Sequence, residues 1–325
     1  MTRRTALVLL RATVSITLLA FVLSSLDLSE VATRLRLAAP APLVGVVLVT
    51  LAALGVKTVR LQALLSTLGC RVRWRDVLAA NLLGGFYNLV LPGVVGGDVA
   101  RGWRLKTLTN KTARTAVSVA ADRITGLIAL VLLCVGALWL APAFPGRDVL
   151  RLTAVGLLGA LALVVALSLA PRRRRAASGE TVGFLRRFTA QADEALQAYR
   201  DRPSALCGAL GLGLILQILV ALTNYLACRA FGLQISPVNV LWVTAAVSLA
   251  LSLPISVAGL GVRETAYVVL LGHCGADPSQ ALGVSLVTLA VFVSCGLAGG
   301  VLQLLGLGAR PQESAPGPLA SQEAE

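Results

Sequence analysis

Apolar residues fall along this chain in long blocks, with charge packed between them. A block of about 20 apolar residues spans the hydrocarbon core of a bilayer as a helix. Seven blocks have that character: Thr5–Leu23, Pro40–Val56, Thr115–Leu140, Val149–Ala170, Pro203–Ala221, Val238–Leu253 and Gln280–Leu307. Two more, Val77–Gly97 and Pro254–Leu271, are hydrophobic but interrupted by Pro and Gly. The pattern predicts an all-α polytopic transmembrane helical bundle over residues 1–308, with two Pro/Gly-broken re-entrant segments. Residues 309–325, rich in Pro, Ser, Gln and Glu, are expected to form a disordered tail.

Basic residues set the orientation, since cytoplasmic loops carry the excess of Lys and Arg. Arg3, Arg4 and Arg11 place the N-terminus in the cytoplasm. After two crossings, Lys57–Arg75 carries Lys57, Arg60, Arg71, Arg73 and Arg75, as a cytoplasmic loop should. The next charged stretch, with Arg101, Arg104, Lys106, Lys111 and Arg114, favours the same side. Two consecutive cytoplasmic loops cannot flank a full crossing. Val77–Gly97 is therefore expected to enter and return on one side, turning near Pro92-Gly93. Irregular backbone at that depth is tolerated only where protein or a wet cavity surrounds it. Two further crossings lead to Arg172–Arg175. Phe184–Tyr199 follows, apolar at i, i+3/i+4 spacing, and reads either as an interfacial helix or as a helical cytoplasmic linker.

The two broken segments match each other. Asn88–Arg101 aligns without gaps on Ala250–Arg263, pairing Pro92 with Pro254, Gly97 with Gly259 and Arg101 with Arg263. The offset is constant, because 254 − 92 and 263 − 101 both equal 162. Interrupted segments at corresponding positions of two halves point to a transporter binding site. Four crossings are counted between them, whereas an inverted repeat needs an odd number, so inverted and parallel repeats both stand open.

Composition agrees with a membrane protein. The chain is 57% apolar and only 14% charged, against about 25% charged in a soluble domain. The net charge of +14 would suggest nucleic acid for a soluble chain. Here the basic residues flank apolar blocks, so no nucleic acid is expected and anionic membrane lipids are. Cys70, Cys134, Cys207, Cys228, Cys274 and Cys295 form no CxxC and read as small buried hydrophobes. A single histidine, His273, leaves no His-based metal site or triad. GxxxxGK[ST] is absent, and no cofactor or metal is expected. Thr5–Leu23 lacks an Ala-x-Ala cleavage pattern and is expected to stay as an anchor.

Several polar groups sit where lipid should be: Asn81, Asn88, Asp98, Arg101, Asp122, Arg123, Arg263 and Glu264. A charge at the centre of a lone helix costs about 2.5–3.5 kcal/mol on insertion scales. These residues must face the bundle interior or the interface, and pair. Asp98 and Arg101 can touch if helical. Asp122-Arg123 and Glu264-Arg263 are adjacent, point apart, and should find partners on other helices, with Arg123 and Arg263 facing a common polar space. One reading is a groove in which three guanidinium groups hold phosphate, with Gly-rich turns hinged at Pro92, Gly93, Gly97, Pro254, Gly259 and Gly261 adding backbone donors. The other is a set of ion pairs that only hold the bundle together.

These motifs resemble those of one family. Asn88-x-x-x-Pro92-Gly93-x-x-Gly96-Gly97-Asp98-x-x-Arg101, Asp122-Arg123-x-x-Gly126-Leu127 and Pro254-x-Ser256-x-x-Gly259-x-Gly261-x-Arg263-Glu264 are similar to the signature of the lysylphosphatidylglycerol synthase transmembrane, flippase-like family, YbhN-like inner-membrane proteins included. The likeness covers nearly the whole chain and implies a multi-pass protein of the bacterial plasma membrane. It implies a translocator for a phospholipid or polyprenyl-phosphate lipid, without enzyme activity. Only a short tail follows Leu307, so synthesis of lysylphosphatidylglycerol by this chain is not expected. Movement would be passive or ion-coupled, with Asp98, Asp122 and Glu264 as the available carriers. The alternative is a non-transporting membrane partner of a glycosyltransferase or lipid-synthesis enzyme. An intramembrane enzyme ranks last, for want of a nucleophile–base pair.

Overall fold

The structure is a computed structural model that describes Thr33 and residues 36–90, 95–141, 146–169, 183–252 and 259–305. The expected first span and the tail lie outside these residues, as do the turns at Pro92-Gly93 and Pro254. The described residues form ten helices and no strand: α1 Pro40–Thr67, α2 Trp74–Val90, α3 Val95–Thr109, α4 Thr112–Leu140, α5 Arg147–Leu169, α6 Gly183–Arg200, α7 Pro203–Ala230, α8 Pro237–Ser252, α9 Val262–Gly272 and α10 Pro278–Leu304. Five of them, α1, α4, α5, α7 and α10, are long and apolar enough to cross a membrane. This is an all-α polytopic bundle.

The helix punctuation repeats. Proline occupies the first turn of α1 and of α7, where its missing N–H costs nothing. Both helices run 28 residues and end before a glycine with positive φ, Gly69 at 69° and Gly232 at 73°. That left-handed conformation stops a helix and suits glycine. Helices α2 and α8 follow, then α3 and α9, then α4 and α10. The packing is exchanged between the two quartets: α1 packs most extensively on α7, α2 on α10, and α8 on α4. α1 and α7 are antiparallel. Ala39 N–H donates to the Ala230 carbonyl at 2.9 Å, Gly45 packs on Leu226, and Arg60 reaches Gly213. Neighbours at corresponding places in two halves that run in opposite directions are what an inverted repeat would give.

The sequence expectation needs two corrections here. Val238–Leu253 is expected as a full crossing; its described part, α8, has 16 residues. At 1.5 Å per residue that part covers ~24 Å of the ~30 Å hydrocarbon core. It stands where α2 stands in the first quartet, and among the described residues three helices long enough to span, α4, α5 and α7, lie between the two broken elements, the odd number an inverted repeat would need. Second, Lys57 and Arg60 are not in a loop. Helix α1 continues through them to Thr67, because Leu61, Leu64 and Leu65 keep its inner face apolar and fully buried.

Helices α2 and α3 form an antiparallel pair. Asn88 Oδ1 accepts from Gly97 N–H at 3.0 Å, and Asn81 Oδ1 lies 3.5 Å from Arg101 Nη1. At the far end Val77 and Leu105 share one apolar cluster with Leu61 and Leu65. The two ends of the hairpin therefore meet. Single cysteines at Arg75 and Lys106 are expected to react with an impermeant maleimide from the same face of the membrane. Labelling from opposite faces would exclude a re-entrant hairpin.

Helix α6 lies across α4 and α7 through buried Ala195 and Tyr199. The Tyr199 hydroxyl donates to the Leu64 carbonyl at 3.0 Å. Burial pushes that hydroxyl up to about 12, so the donor stays protonated.

Candidate functional site

Two polar regions form inside the bundle. The first is an ion-pair network centred on Asp122, which is 1% exposed. Arg60 Nε donates to Asp122 Oδ1 at 2.7 Å, and Arg101 Nη1 to Oδ2 at 2.8 Å. Each carboxylate oxygen thus has its own guanidinium, from α1 and from α3. Arg101 Nε also lies 3.1 Å from Asp98, and Asp98 is 3.8 Å from Arg123. Asn81 extends the network by donating to Thr58 Oγ1 at 3.3 Å. Glycine makes room for Arg60: a Cβ at Gly126 or at Gly213 would stand 3.1 or 3.3 Å from Arg60 Nη1.

The second region is a cavity of about 330 Å³ between the two quartets, with walls from α1, α2 and α7 to α10. Its polar lining includes Lys57, Asn81, Asn224, Arg263, Tyr267 and Thr288. Tyr267 O–H donates to Asn224 Oδ1 at 2.7 Å, so those two satisfy each other. The cations are different. Lys57 has no hydrogen bond or ion pair among the described residues, although Asp122 and Arg60 are near. Arg263 is 8% exposed, its Nη1 is buried without an acceptor, and its guanidinium lies 5.4 Å from the centre of the Phe292 ring. A face-on aromatic ring attracts a cation but offers it no lone pair.

Residues 8–299 match the family model for the lysylphosphatidylglycerol synthase TM region. The chain belongs to that family. Comparison with curated proteins and with solved structures returns no match. Membership and the five long apolar helices together make this a multi-pass membrane protein.

Of the polar residues singled out in the sequence, the structure gathers Asn81, Asp98, Arg101 and Asp122 into one network and separates the others. Asn88 caps the first turn of α3 through Gly97 N–H. Arg123 does not share a space with Arg263. Its side chain is 38% exposed and lines a different cavity, with Trp103 and Lys106. Adjacent helical positions diverge by about 100°, so turning Asp122 inward turns Arg123 out. Among the described residues Glu264 finds no base on another helix. It caps its own helix, accepting from Gly261 N–H at 2.6 Å, and lies 3.5 Å from Ser285 Oγ. Gly259 and Gly261, at φ 78° and 80°, shape the turn that makes this cap possible. Pro92, Gly93 and Pro254 lie outside the described residues. Sequence reasoning missed Lys57 and Arg60 as interior groups because their charge resembled a topology signal. The clue was Gly69, which marks where α1 stops, three turns beyond the expected end.

Proposed function

We propose that this protein is a lipid translocator of a bacterial plasma membrane, its N-terminus cytoplasmic. In this reading a phosphate-bearing headgroup passes through the cavity between the two quartets while its acyl chains remain in lipid, and the chain performs no covalent chemistry. One observation carries the proposal: Lys57 and Arg263 face the same cavity and, among the described residues, neither forms an ion pair. Buried cations are ordinarily paired. A pair left open, in a cavity at the junction of two inverted halves, is what an anionic substrate needs at the midpoint of an alternating-access path.

The alternative, a non-transporting partner of a lipid-modifying enzyme, draws support from the Arg60–Asp122–Arg101 network, which is buried and paired within itself. The two readings separate in proteoliposomes loaded with a fluorescent phospholipid and challenged with an impermeant quencher. The translocator reading expects wild type to raise the quenchable fraction above protein-free vesicles. A Lys57→Gln/Arg263→Gln double variant should slow this about tenfold or more, since charge-assisted contacts to phosphate are lost. Wild-type vesicles no faster than empty ones would refute it.

A further inference from the structure

We infer that the cavity selects a net-anionic phosphate headgroup and rejects one that carries an amine, aminoacylated headgroups included. The inference rests on the translocator reading for its site and goes beyond it in naming the class of headgroup.

It begins with the repeat. Arg101 and Arg263 correspond at the offset of 162 residues, yet their surroundings differ in charge. Arg101 is neutralised twice, by Asp122 from α4 and by Asp98 three residues earlier. Neither acid has a counterpart in the second half. The residue three before Arg263 is Leu260. Asp122 is the eleventh residue of α4, and the eleventh of α10 is Thr288; α10 carries no acid anywhere along its length. One half of the repeat is thus a closed lock, and the other keeps the guanidinium and drops both acids. The acid beside Arg263, Glu264, is turned away and spent on its own helix cap.

The charge around the cavity follows. Lys57, Arg60, Arg101 and Arg263 stand against Asp122 and Glu264, while Asp98 and Arg123 offset each other. The balance is two positive charges, and the two cations that face the cavity are Lys57 and Arg263. Among the described residues no carboxylate lines it. A phosphodiester or phosphomonoester brings one or two negative charges and acceptor oxygens for both cations. An ammonium group would meet Lys57 and Arg263 with no carboxylate to receive it, and like charges in a desolvated site repel strongly. The lysyl ester of phosphatidylglycerol carries two ammonium groups on one phosphate. This cavity is built for the unmodified anion.

The full chain in detergent, incubated with equimolar phosphatidylglycerol, phosphatidylethanolamine and lysyl-phosphatidylglycerol, tests this by native mass spectrometry. Phosphatidylglycerol is expected to be retained about tenfold over the lysyl ester. Lys57→Gln and Arg263→Gln should each lose that preference, and Arg263→Lys should restore part of it. Thr288→Asp, which returns an acid to the second half, should abolish retention of the anion while the protein still folds. Soluble glycerol phosphate serves as competitor: displacement of the lipid shows that the phosphate alone is recognised, and no displacement shows that the acyl chains are required. Equal or greater retention of the lysyl ester by wild type, or a preference unchanged in the Lys57 and Arg263 variants, would overturn the inference. Because this readout is binding, it stands apart from transport. Vesicles that move no lipid would remove the translocator reading and leave the selectivity to be judged here, whereas vesicles that move lysyl and unmodified lipid alike would remove the selectivity alone.

Discussion

Asp122→Ala is expected to destabilise the bundle by about 3–5 kcal/mol, the cost of leaving a buried partner charge unpaired. The figure belongs to the upper end for this site, because one carboxylate neutralises two guanidinium groups, each about 5% exposed. Losing it strands both Arg60 and Arg101 in the same few ångströms, where they also repel each other. Arg101 retains Asp98 at 3.1 Å, while among the described residues Arg60 has no second acid. Arg60 should therefore be the group that forces α1 away from α4. Asp122→Asn keeps the shape and one acceptor, and is expected to cost less. Removing one base in turn, as Arg60→Ala, leaves Asp122 with Arg101 and should fall between the two. The check is thermal unfolding in detergent, followed by the loss of monodisperse protein. An Asp122→Ala variant that melts with wild type would show that the network does not hold the bundle.

The membrane character and the all-α bundle were legible in the sequence because they rest on patterns the bilayer imposes locally. An apolar block, a Pro or Gly break and a basic flank each declare themselves within a few residues. The inner faces of single helices were legible too, so Asp98 with Arg101, and Asp122 with bases elsewhere, follow from i, i+3 spacing and from the cost of an unpaired charge. What could not be read was which helices meet. Lys57 and Arg60 carry the charge of a cytoplasmic loop, and only the apolar face continuing through Leu61 and Leu65 tells that they are helical. Glu264 looked like a partner for a distant arginine, yet a glycine at φ 80° three residues before it offers a nearer donor. The odd number of long helices between the broken elements was hidden by α8, whose composition is that of a span and whose described length is shorter. The separation of Arg123 from Arg263 depends on how α4 is rotated, and Asp122 decides that through partners on α1 and α3.

Glycine-to-alanine substitutions should split by sign according to what the added methyl meets. At Gly299 a Cβ would press into the Leu82 carbonyl and neighbouring backbone of α2, and at Gly97 into the Gly84 carbonyl and the Asn88 side chain. Backbone on the receiving side cannot rotate away as a side chain can, so α10 must move off α2, or α3 off α2. Small residues let membrane helices approach this closely, and there the attraction is close packing rather than exclusion of water. Forcing atoms into such a contact costs typically 1–3 kcal/mol and separates the helices along their whole contact. Gly299→Ala and Gly97→Ala are therefore each expected to lose about that much, and more for Gly97, whose displacement also breaks the Asn88 cap and shifts Arg101 from Asp122. Gly156 and Gly159 on α5 have nothing within 4 Å of an added Cβ. There alanine only restricts the unfolded backbone and favours the helix, worth about 0.5–1 kcal/mol in the stabilising direction. Melting the four variants side by side tests the packing directly. Gly299→Ala or Gly97→Ala as stable as wild type would mean that α2 is not held between α3 and α10, and the polar network at the α2–α3 junction would lose the scaffold that positions Arg101.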